Sequence, residues 1–345
     1  MIITILGAGA MGSALATPLT EAGHEVRLWG TWLDDHLIAA IRAGKPHPRT
    51  NVAVPRAAAS YAATELADAM ADAQLAVIAV SSVGVEGVSS LAAEYLSKLD
   101  AIAITSKGFA PDKEGRIQLL PQTVERALAE KGLPCPPVVA IGGPCKANEV
   151  AAGQPTATIY GNAKLGVAAK VAAAATTGVY RVSTTTDRDG LELCAALKNV
   201  LAIALGIADG LTDTHEIPFH DLKAAVFAEG LAELRLILEA EGADPWTAFG
   251  LAGAGDLEVT GLSGRNKVYG ARIGAGQEAK QALAEMVAAE QTVEGVDAAR
   301  LVRTFISQRH PELVEKLSLL DAIYKVVHEG AGLPQLVDAA LGGKP

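Results

Sequence analysis

Seven short runs rich in β-branched and aliphatic residues, at positions 2–6, 25–29, 75–80, 101–105, 138–141, 156–160 and 179–182, alternate with helical stretches; after Gly190 no further run of this kind occurs. Alternation of strand and helix means parallel strands joined by right-handed crossovers, with helices covering both faces of the sheet. From Leu191 onward only long helical patterns remain, including 191–210 and 221–241, followed by a Gly-rich interval and segments ending near Gly276, Ala289, Gln308, Glu329 and Leu341. The 345-residue chain is long enough for two domains at roughly 100–200 residues each. The expected fold class is therefore α/β plus all-α: a Rossmann-type parallel sheet over 1–186 and a helical domain over 187–345. Apolar residues make up 50% of the chain and charged residues 20%, which excludes a disordered protein.

The first strand runs into Gly7-Ala8-Gly9-Ala10-Met11-Gly12 and then into a helix, the context that makes G-x-G-x-x-G informative. Gly7 serves the tight turn, Gly9 lets backbone approach a pyrophosphate, and Gly12 lets the helix pack closely on the strand. The helix N-terminus adds unpaired N–H groups that favour an anion. A dinucleotide is the expected ligand. An acidic residue at the end of the second strand would hold the ribose 2′-hydroxyl of NAD, but Trp29-Gly30-Thr31 stands there. Arg42, Lys45 and Arg49 follow, either as solvated surface or as partners of a 2′-phosphate, so the cofactor is NADP or NAD.

A net charge of −10 argues against nucleic acid or anionic membrane as a general partner. The apolar stretch around 199–208 is too short for a bilayer span and lies beside Lys198. Met1 leads directly into a strand-like run without a basic leader, so a cytoplasmic protein is expected. Cys135, Cys145 and Cys194 are odd in number and lack C-x-x-C spacing, and no His, Cys, Asp or Glu cluster has metal-ligand spacing.

Three further features look chemical: Ser106-Lys107-Gly108 after a strand; Lys198-Asn199 inside an apolar helix; and a Gly-rich segment ending in Asp256, followed by Gly264-Arg265-Asn266. An ammonium among Leu193, Ala196, Leu197, Val200, Leu201 and Ile203 must either snorkel to solvent or be paired in a site. Arg265-Asn266 reads either as a surface helix cap or as a planar donor fork and an amide aimed at an anion.

Taken in order, these segments resemble the nicotinamide-dependent glycerol-3-phosphate dehydrogenases over nearly the whole chain. The matching stretches are Gly7 to Gly12, Leu28-Trp29-Gly30, Ser106-Lys107-Gly108, Gly143-Pro144-Cys145 with Glu149-Val150, Leu197 to Val200 through Asp209-Gly210-Leu211, Gly253 to Leu257, Gly264-Arg265-Asn266 and Val293-Glu294-Gly295. The resemblance implies an active site between two domains and interconversion of dihydroxyacetone phosphate and glycerol 3-phosphate, while a helical second domain of this size points to a homodimer. It assigns catalysis to Lys198, Lys107 and Asp256. Cofactor contacts fall to Gly7, Gly9, Ala10, Met11, Gly12, Thr31, Lys107, Ala147, Arg265 and Glu294. Substrate contacts fall to Lys107, Gly143, Cys145, Asn199, Asp256, Gly264, Arg265 and Asn266. A ketone gaining hydride develops charge on oxygen, which a positioned ammonium stabilises and protonates.

The chain departs from the family pattern at Cys145-Lys146-Ala147, Asp221-Leu222-Lys223 and Glu229-Gly230-Leu231, and in the loop 213–221 with His215, Pro218 and His220. These departures leave open a related dehydrogenase of the same architecture acting on a different small keto or hydroxy compound, such as a longer sugar phosphate, with Lys146 as a second cation. A cofactor-binding sensor without turnover is the remaining alternative; binding alone would need neither lysine nor Asp256.

Overall fold

The computed structural model describes residues 1–343. Among these, ten strands are formed: β1 (Ile2–Leu6), β2 (Glu25–Trp29), β3 (Ala59–Tyr61), β4 (Leu75–Ile78), β5 (Ala101–Ile104), β6 (Phe109–Pro111), β7 (Ile117–Leu119), β8 (Val138–Gly142), β9 (Thr156–Gly161) and β10 (Tyr180–Thr185). Eight make one sheet in the order β10-β9-β8-β5-β4-β1-β2-β3, and β6 and β7 pair separately. Along the central strands, alternate residues feed two different cores. Ile3, Ile5, Val26, Leu28, Val77 and Ala103 enter one, and Leu6, Trp29, Ile78, Ile102 and Ile104 enter the other. A sheet apolar on both faces must be covered on both, which explains the near-continuous apolar character of β4, β5 and β8.

The sheet is not wholly parallel. β8 and β9 pair antiparallel, with Ile141 opposite Tyr160. The intervening chain forms only the five-residue helix Ala147–Ala151, which packs beside the first helix instead of crossing the sheet, so the next strand enters from the end at which β8 left. β9 and β10 are parallel to each other but half-exposed, unlike the central strands. β10 also continues through Thr185. Ser183, Thr184 and Thr185 are polar, yet threonine's branched Cβ suits a strand.

Two compact units result: Met1–Ala110 with Leu119–Glu192, and Pro111–Gln118 with the chain from Leu193. This division falls inside the helix Arg188–Asp213. Residues 111–118 join the helical unit because Gln308 grips them, accepting from the Ile117 amide at 2.9 Å and donating to the Gly115 carbonyl at 2.9 Å.

The helices that matter below are α1 (Ala10–Glu21), α2 (Ala147–Ala151), α3 (Arg188–Asp213), α4 (His220–Ala240), α5 (Asp256–Leu262), α6 (Arg265–Gly274), α7 (Glu294–Arg309) and α8 (Ser318–Tyr324). α3 is 26 residues long and apolar enough to cross a membrane by length and composition, but 94% of its most apolar stretch is buried inside the protein. An all-round apolar helix of this kind is a core helix. Glu192, Lys198 and Asn199 are its buried polar side chains.

Glu233 on α4 is fully buried and caps α8 from a neighbouring helix, accepting from the Leu319 and Leu320 amides at 2.6 and 2.9 Å. Burial pushes its carboxyl from 4.5 up to about 8, against the pull of those two amides. A folded-state pKa raised in this way gives a contribution that is complete below 4.5 and lost as the pH rises through about 8. Glu233→Gln removes the titration while keeping an acceptor for the helix end. Melting temperatures at pH 5, 6.5 and 8 should fall more steeply for the wild type than for this variant; parallel slopes would show that Glu233 does not titrate in this window.

Candidate active site

The turn from β1 into α1 has the shape that a dinucleotide requires. Gly7 has φ +118°, and a Cβ there would lie 2.8 Å from the Ala79 carbonyl oxygen and 2.8 Å from Val80 Cγ1. A Cβ on Gly12 would lie 2.1 Å from the Gly7 oxygen, so this glycine is what lets α1 sit on the turn. Above Gly9 the space is open: the nearest atom to a Cβ there is Arg49 Nη1, at 3.8 Å. Gly9 is the N-cap of α1 and brings no side chain to the helix end, so the turn leaves an anion-sized cradle where Ala10 and Met11 begin the helix. The residues fit a dinucleotide, and Gly7, Gly9, Ala10, Met11 and Gly12 would hold it.

The end of β2 differs from what Trp29-Gly30-Thr31 led us to expect. Asp34 folds back, and its Oδ2 accepts from the Thr31 amide at 2.9 Å, the Thr31 hydroxyl at 2.9 Å and the Ala8 amide at 3.3 Å. A carboxylate therefore does stand beside the glycine turn, buried and committed to three donors. The T-x-x-D spacing was its signal in the sequence. Thr31 spends its hydroxyl on Asp34 and also accepts from Leu33 N at 3.3 Å, so it offers no free donor to a ribose. His47, fully buried, bonds the Ala8 carbonyl at 2.9 Å from the other side. Of the three cations, Arg42 is tied to Glu65 at 2.6 Å, whereas Arg49 lies over Gly9.

Beyond β5 and β8, at the carboxyl ends of the strands, a cleft of about 260 Å³ is lined by Met11, Thr105, Lys107, Gly143, Cys145 and Tyr180. It brings the candidate residues Lys107, Gly143 and Cys145 against the start of α1, in the crevice where open α/β sheets bind ligands. Gly143, at φ +108°, turns the chain out of β8. Ala147 opens α2 and packs on the core, while Lys146 is paired with Glu149 at 3.4 Å.

In the helical unit the remaining candidates converge. Lys198 Nζ donates to Asp256 Oδ1, with the Lys198 and Asp256 side chains 11% and 1% exposed. Snorkelling is thereby excluded. Asp256 is delivered by a π-helical turn, Leu251–Gly255, packed so tightly that a Cβ on Gly253 would lie 1.9 Å from the Ala248 oxygen. Such π-turns are frequent at functional sites. Beside Lys198, Asn199 Oδ1 accepts from Asn266 Nδ2 at 3.0 Å, and Asn199 Nδ2 donates to Glu294 Oε2 at 3.4 Å. Asn266 Oδ1 in turn accepts from the Gly295 amide at 2.9 Å. Arg265 opens α6, half-exposed and 3.6 Å from Glu294 Oε1. Gly264, at φ +136°, caps that helix with no side-chain hydrogen bond. Glu294 thus touches both Asn199 and Arg265, a junction that sequence spacing does not disclose.

Comparison with known proteins agrees over both units. The family model "NAD-dependent glycerol-3-phosphate dehydrogenase N-terminus" matches residues 2–168, and its C-terminus counterpart matches residues 187–338. The chain belongs to this family. It is 34% identical to the NADP(+)-dependent glycerol-3-phosphate dehydrogenase of Archaeoglobus fulgidus over 98% of both chains. It is 36% identical to the glycerol-3-phosphate dehydrogenase [NAD(P)+] of Symbiobacterium thermophilum, covering 97% of this chain and 92% of that one. The crystal structure of glycerol-3-phosphate dehydrogenase from Coxiella burnetii superposes with a TM-score of 0.83 at 28% identity, covering 99% and 98% of the two chains.

For a member of the glycerol-3-phosphate dehydrogenase family, the geometry at Gly9 bears directly on the nicotinamide cofactor. NADPH should bind at least as tightly as NADH, because three protein donors already occupy Asp34 Oδ2 and Arg49 is placed to meet a phosphate. A charge-assisted hydrogen bond is worth about 1.5–3 kcal/mol. Arg49→Ala should therefore weaken NADPH roughly tenfold or more in a fluorescence titration and NADH by less than about threefold. Equal losses for the two cofactors would put Arg49 on the shared pyrophosphate instead.

Proposed function

We propose that the chain is an NAD(P)-dependent glycerol-3-phosphate dehydrogenase in which Lys198 exchanges a proton with the oxygen at C2 of dihydroxyacetone phosphate or sn-glycerol 3-phosphate. The observation that carries this reading is the buried Lys198–Asp256 pair, whose ammonium lies among the aliphatic side chains of α3. Removing two charges from water costs several kcal/mol each before their attraction is counted. Packing alone has no use for such a pair, whereas ketone reduction needs a fixed proton donor beside the carbonyl oxygen.

When bound, the nicotinamide supplies or accepts the hydride. Lys198 Nζ donates its proton to the ketone oxygen as charge develops there and takes it back from the alcohol in the opposite direction. Asp256 holds that ammonium in one orientation. Arg265, Asn266 and the uncapped N-terminus of α6 receive the substrate phosphate, with Glu294 and Asn199 fixing the two side chains. In the N-terminal unit Gly7, Gly9, Ala10, Met11 and Gly12 cradle the cofactor, while Lys107, with Gly143 and Cys145, supplies a cation to the cleft. Ala147 and Thr31 contribute to the cofactor side by shaping the backbone around it.

Cys135, Cys145 and Cys194 form no disulfide with one another, which supports a cytoplasmic protein. Trp246 and Phe249, strongly exposed with ring centroids 5.8 Å apart in the helical unit, support a homodimer buried through apolar surface. A longer sugar phosphate as substrate is not favoured, since the family comparisons point to glycerol 3-phosphate.

Lys198→Met should lower turnover by about two to four powers of ten, the range for a lost general acid. It leaves Asp256 buried without its cation, a change that typically costs 3–5 kcal/mol. Lys198→Met/Asp256→Asn should therefore recover much of the lost stability and none of the activity; activity returning with stability would remove Lys198 from the chemistry. Arg265→Ala should raise KM for dihydroxyacetone phosphate roughly ten- to a hundredfold, and inorganic phosphate should compete in the wild type. Unphosphorylated dihydroxyacetone turning over equally well would overturn the phosphate assignment.

A further inference from the structure

The crossing of α3 and α6 is made of backbone rather than side chains. A Cβ on Gly206 would lie 2.1 Å from the Lys267 carbonyl oxygen, and one on Gly210 would lie 2.0 Å from that of Ala271. From the other helix, a Cβ on Gly270 would lie 2.0 Å from the Ile203 oxygen, and one on Gly274 would lie 2.2 Å from that of Ile207. Each helix thus presents two glycines four residues apart, and each pair receives carbonyls four residues apart on its partner. Contacts advance in the same direction along both chains, so the helices run parallel and their N-terminal ends lie on the same side. An ionic tie reinforces the contact: Asp209 on α3 takes Lys267 Nζ of α6 at 2.9 Å and Lys223 Nζ of α4 at 2.8 Å. Lys267 is therefore pinned to α3 twice, by its carbonyl on Gly206 and by its ammonium on Asp209.

We infer that this glycine crossing is a ruler that sets the substrate length the enzyme accepts, with Asp209 as a positioning residue that holds it; the inference rests on Lys198 and the Arg265–Asn266 end being the two grips proposed above. The proton donor rides on α3, and the phosphate grip is the first turn of α6. Where side chains separate two helices, rotamer changes can absorb a mismatch, but backbones in contact have nothing to yield. The separation of ketone oxygen and phosphate is consequently built into the crossing. A methyl group at Gly206 or Gly270 forces a shift on the order of 1 Å, because carbon and oxygen need about 3.5 Å. A misplacement of that size is worth about a hundredfold in rate when reacting groups are aligned.

The test uses the full-length protein with dihydroxyacetone phosphate and with 4-hydroxy-3-oxobutyl phosphate, which puts one more methylene between ketone and phosphate. One methylene typically discriminates by about 10- to 200-fold, and the wild type should prefer the shorter ketone within that range. Gly206→Ala and Gly270→Ala should lower kcat/KM for the shorter ketone by about a hundredfold and for the longer one by about tenfold or less, narrowing the preference. Asp209→Asn should narrow it by a smaller factor, mainly through KM, and Asp209→Glu should restore part of it. Cofactor affinity and melting temperature are measured alongside, and if the alanine variants do not fold, the Asp209 pair decides. Equal losses for both ketones in every folded variant, or a lower melting temperature with unchanged preference, would reduce the crossing to packing and overturn the ruler. The proposed grips are checked separately: if phosphate fails to compete and Arg265→Ala leaves KM unchanged, the phosphate assignment falls and the ruler with it. With those controls intact, an unmoved preference sinks the ruler alone.

Discussion

A buried ion pair is the constraint around which the helical unit is arranged. Lys198 cannot leave the interior of α3, so a carboxylate has to be brought to it. The chain does this with the turn Leu251–Gly255, wound as a π-helix and pressed against the Ala248 backbone, which ends by presenting Asp256. Two features of the sequence, the apolar run around Lys198 and the glycines before Asp256, are thus two halves of one requirement. Gly253 is not there for flexibility: it removes the Cβ that would keep the π-turn off its neighbour.

Both units leave a helix N-terminus bare in the same way. Gly9 and Gly264 are each the N-cap of a helix, each contributes no side chain to that helix end, and a glycine next to or at the turn takes a positive φ. Serine or aspartate at such a position would satisfy the free amides and stabilise the helix by about 1 kcal/mol. Leaving the cap bare forgoes that stability and keeps the amides for a ligand, the exchange expected where a helix end is a binding site. Buried neighbours then hold the bare ends in place: His47 and Asp34 at the first, Asn199 and Gly295 at the second.

Much of this was legible in the sequence, and the exceptions have physical causes. β4, β5 and β8 announce themselves because both their faces are apolar; β3, only Ala-Ser-Tyr at the sheet edge, carries no such pattern. The direction of β9 is invisible because strand periodicity is the same in either sense, and only the path of the preceding helix fixes it. Lys198 stands out as a cation among aliphatic neighbours, yet its link through Asn199 to Glu294 joins residues 95 apart. No local signal reports such a distance. Asp34 escapes the strand pattern for a subtler reason: the dinucleotide motif places a carboxylate on the strand end, and the chain supplies it from the following turn. The paired spacing of Gly206 with Gly210 and of Gly270 with Gly274 is plain in the sequence, but its meaning depends on which helices meet.

An acidic protein built to bind phosphate groups presents an electrostatic question that distance resolves. The net charge of −10 is spread over the molecule, and at physiological salt charges separated by more than about 8 Å are largely screened from one another. What the proposed phosphate site at α6 presents is local: a helix end without a side-chain cap, the Asn266 amide network and the Arg265 guanidinium. Glu294, 3.6 Å from that guanidinium, looks like a competitor, but both partners are about half exposed. An exposed ion pair is worth at most about 1 kcal/mol, whereas a dianionic phosphate engages the planar fork of arginine in a bidentate contact. Glu294 can therefore hold Arg265 near the helix end in the absence of ligand and surrender it at little cost when a phosphate arrives. Its other contact, with Asn199, keeps it in place during that exchange.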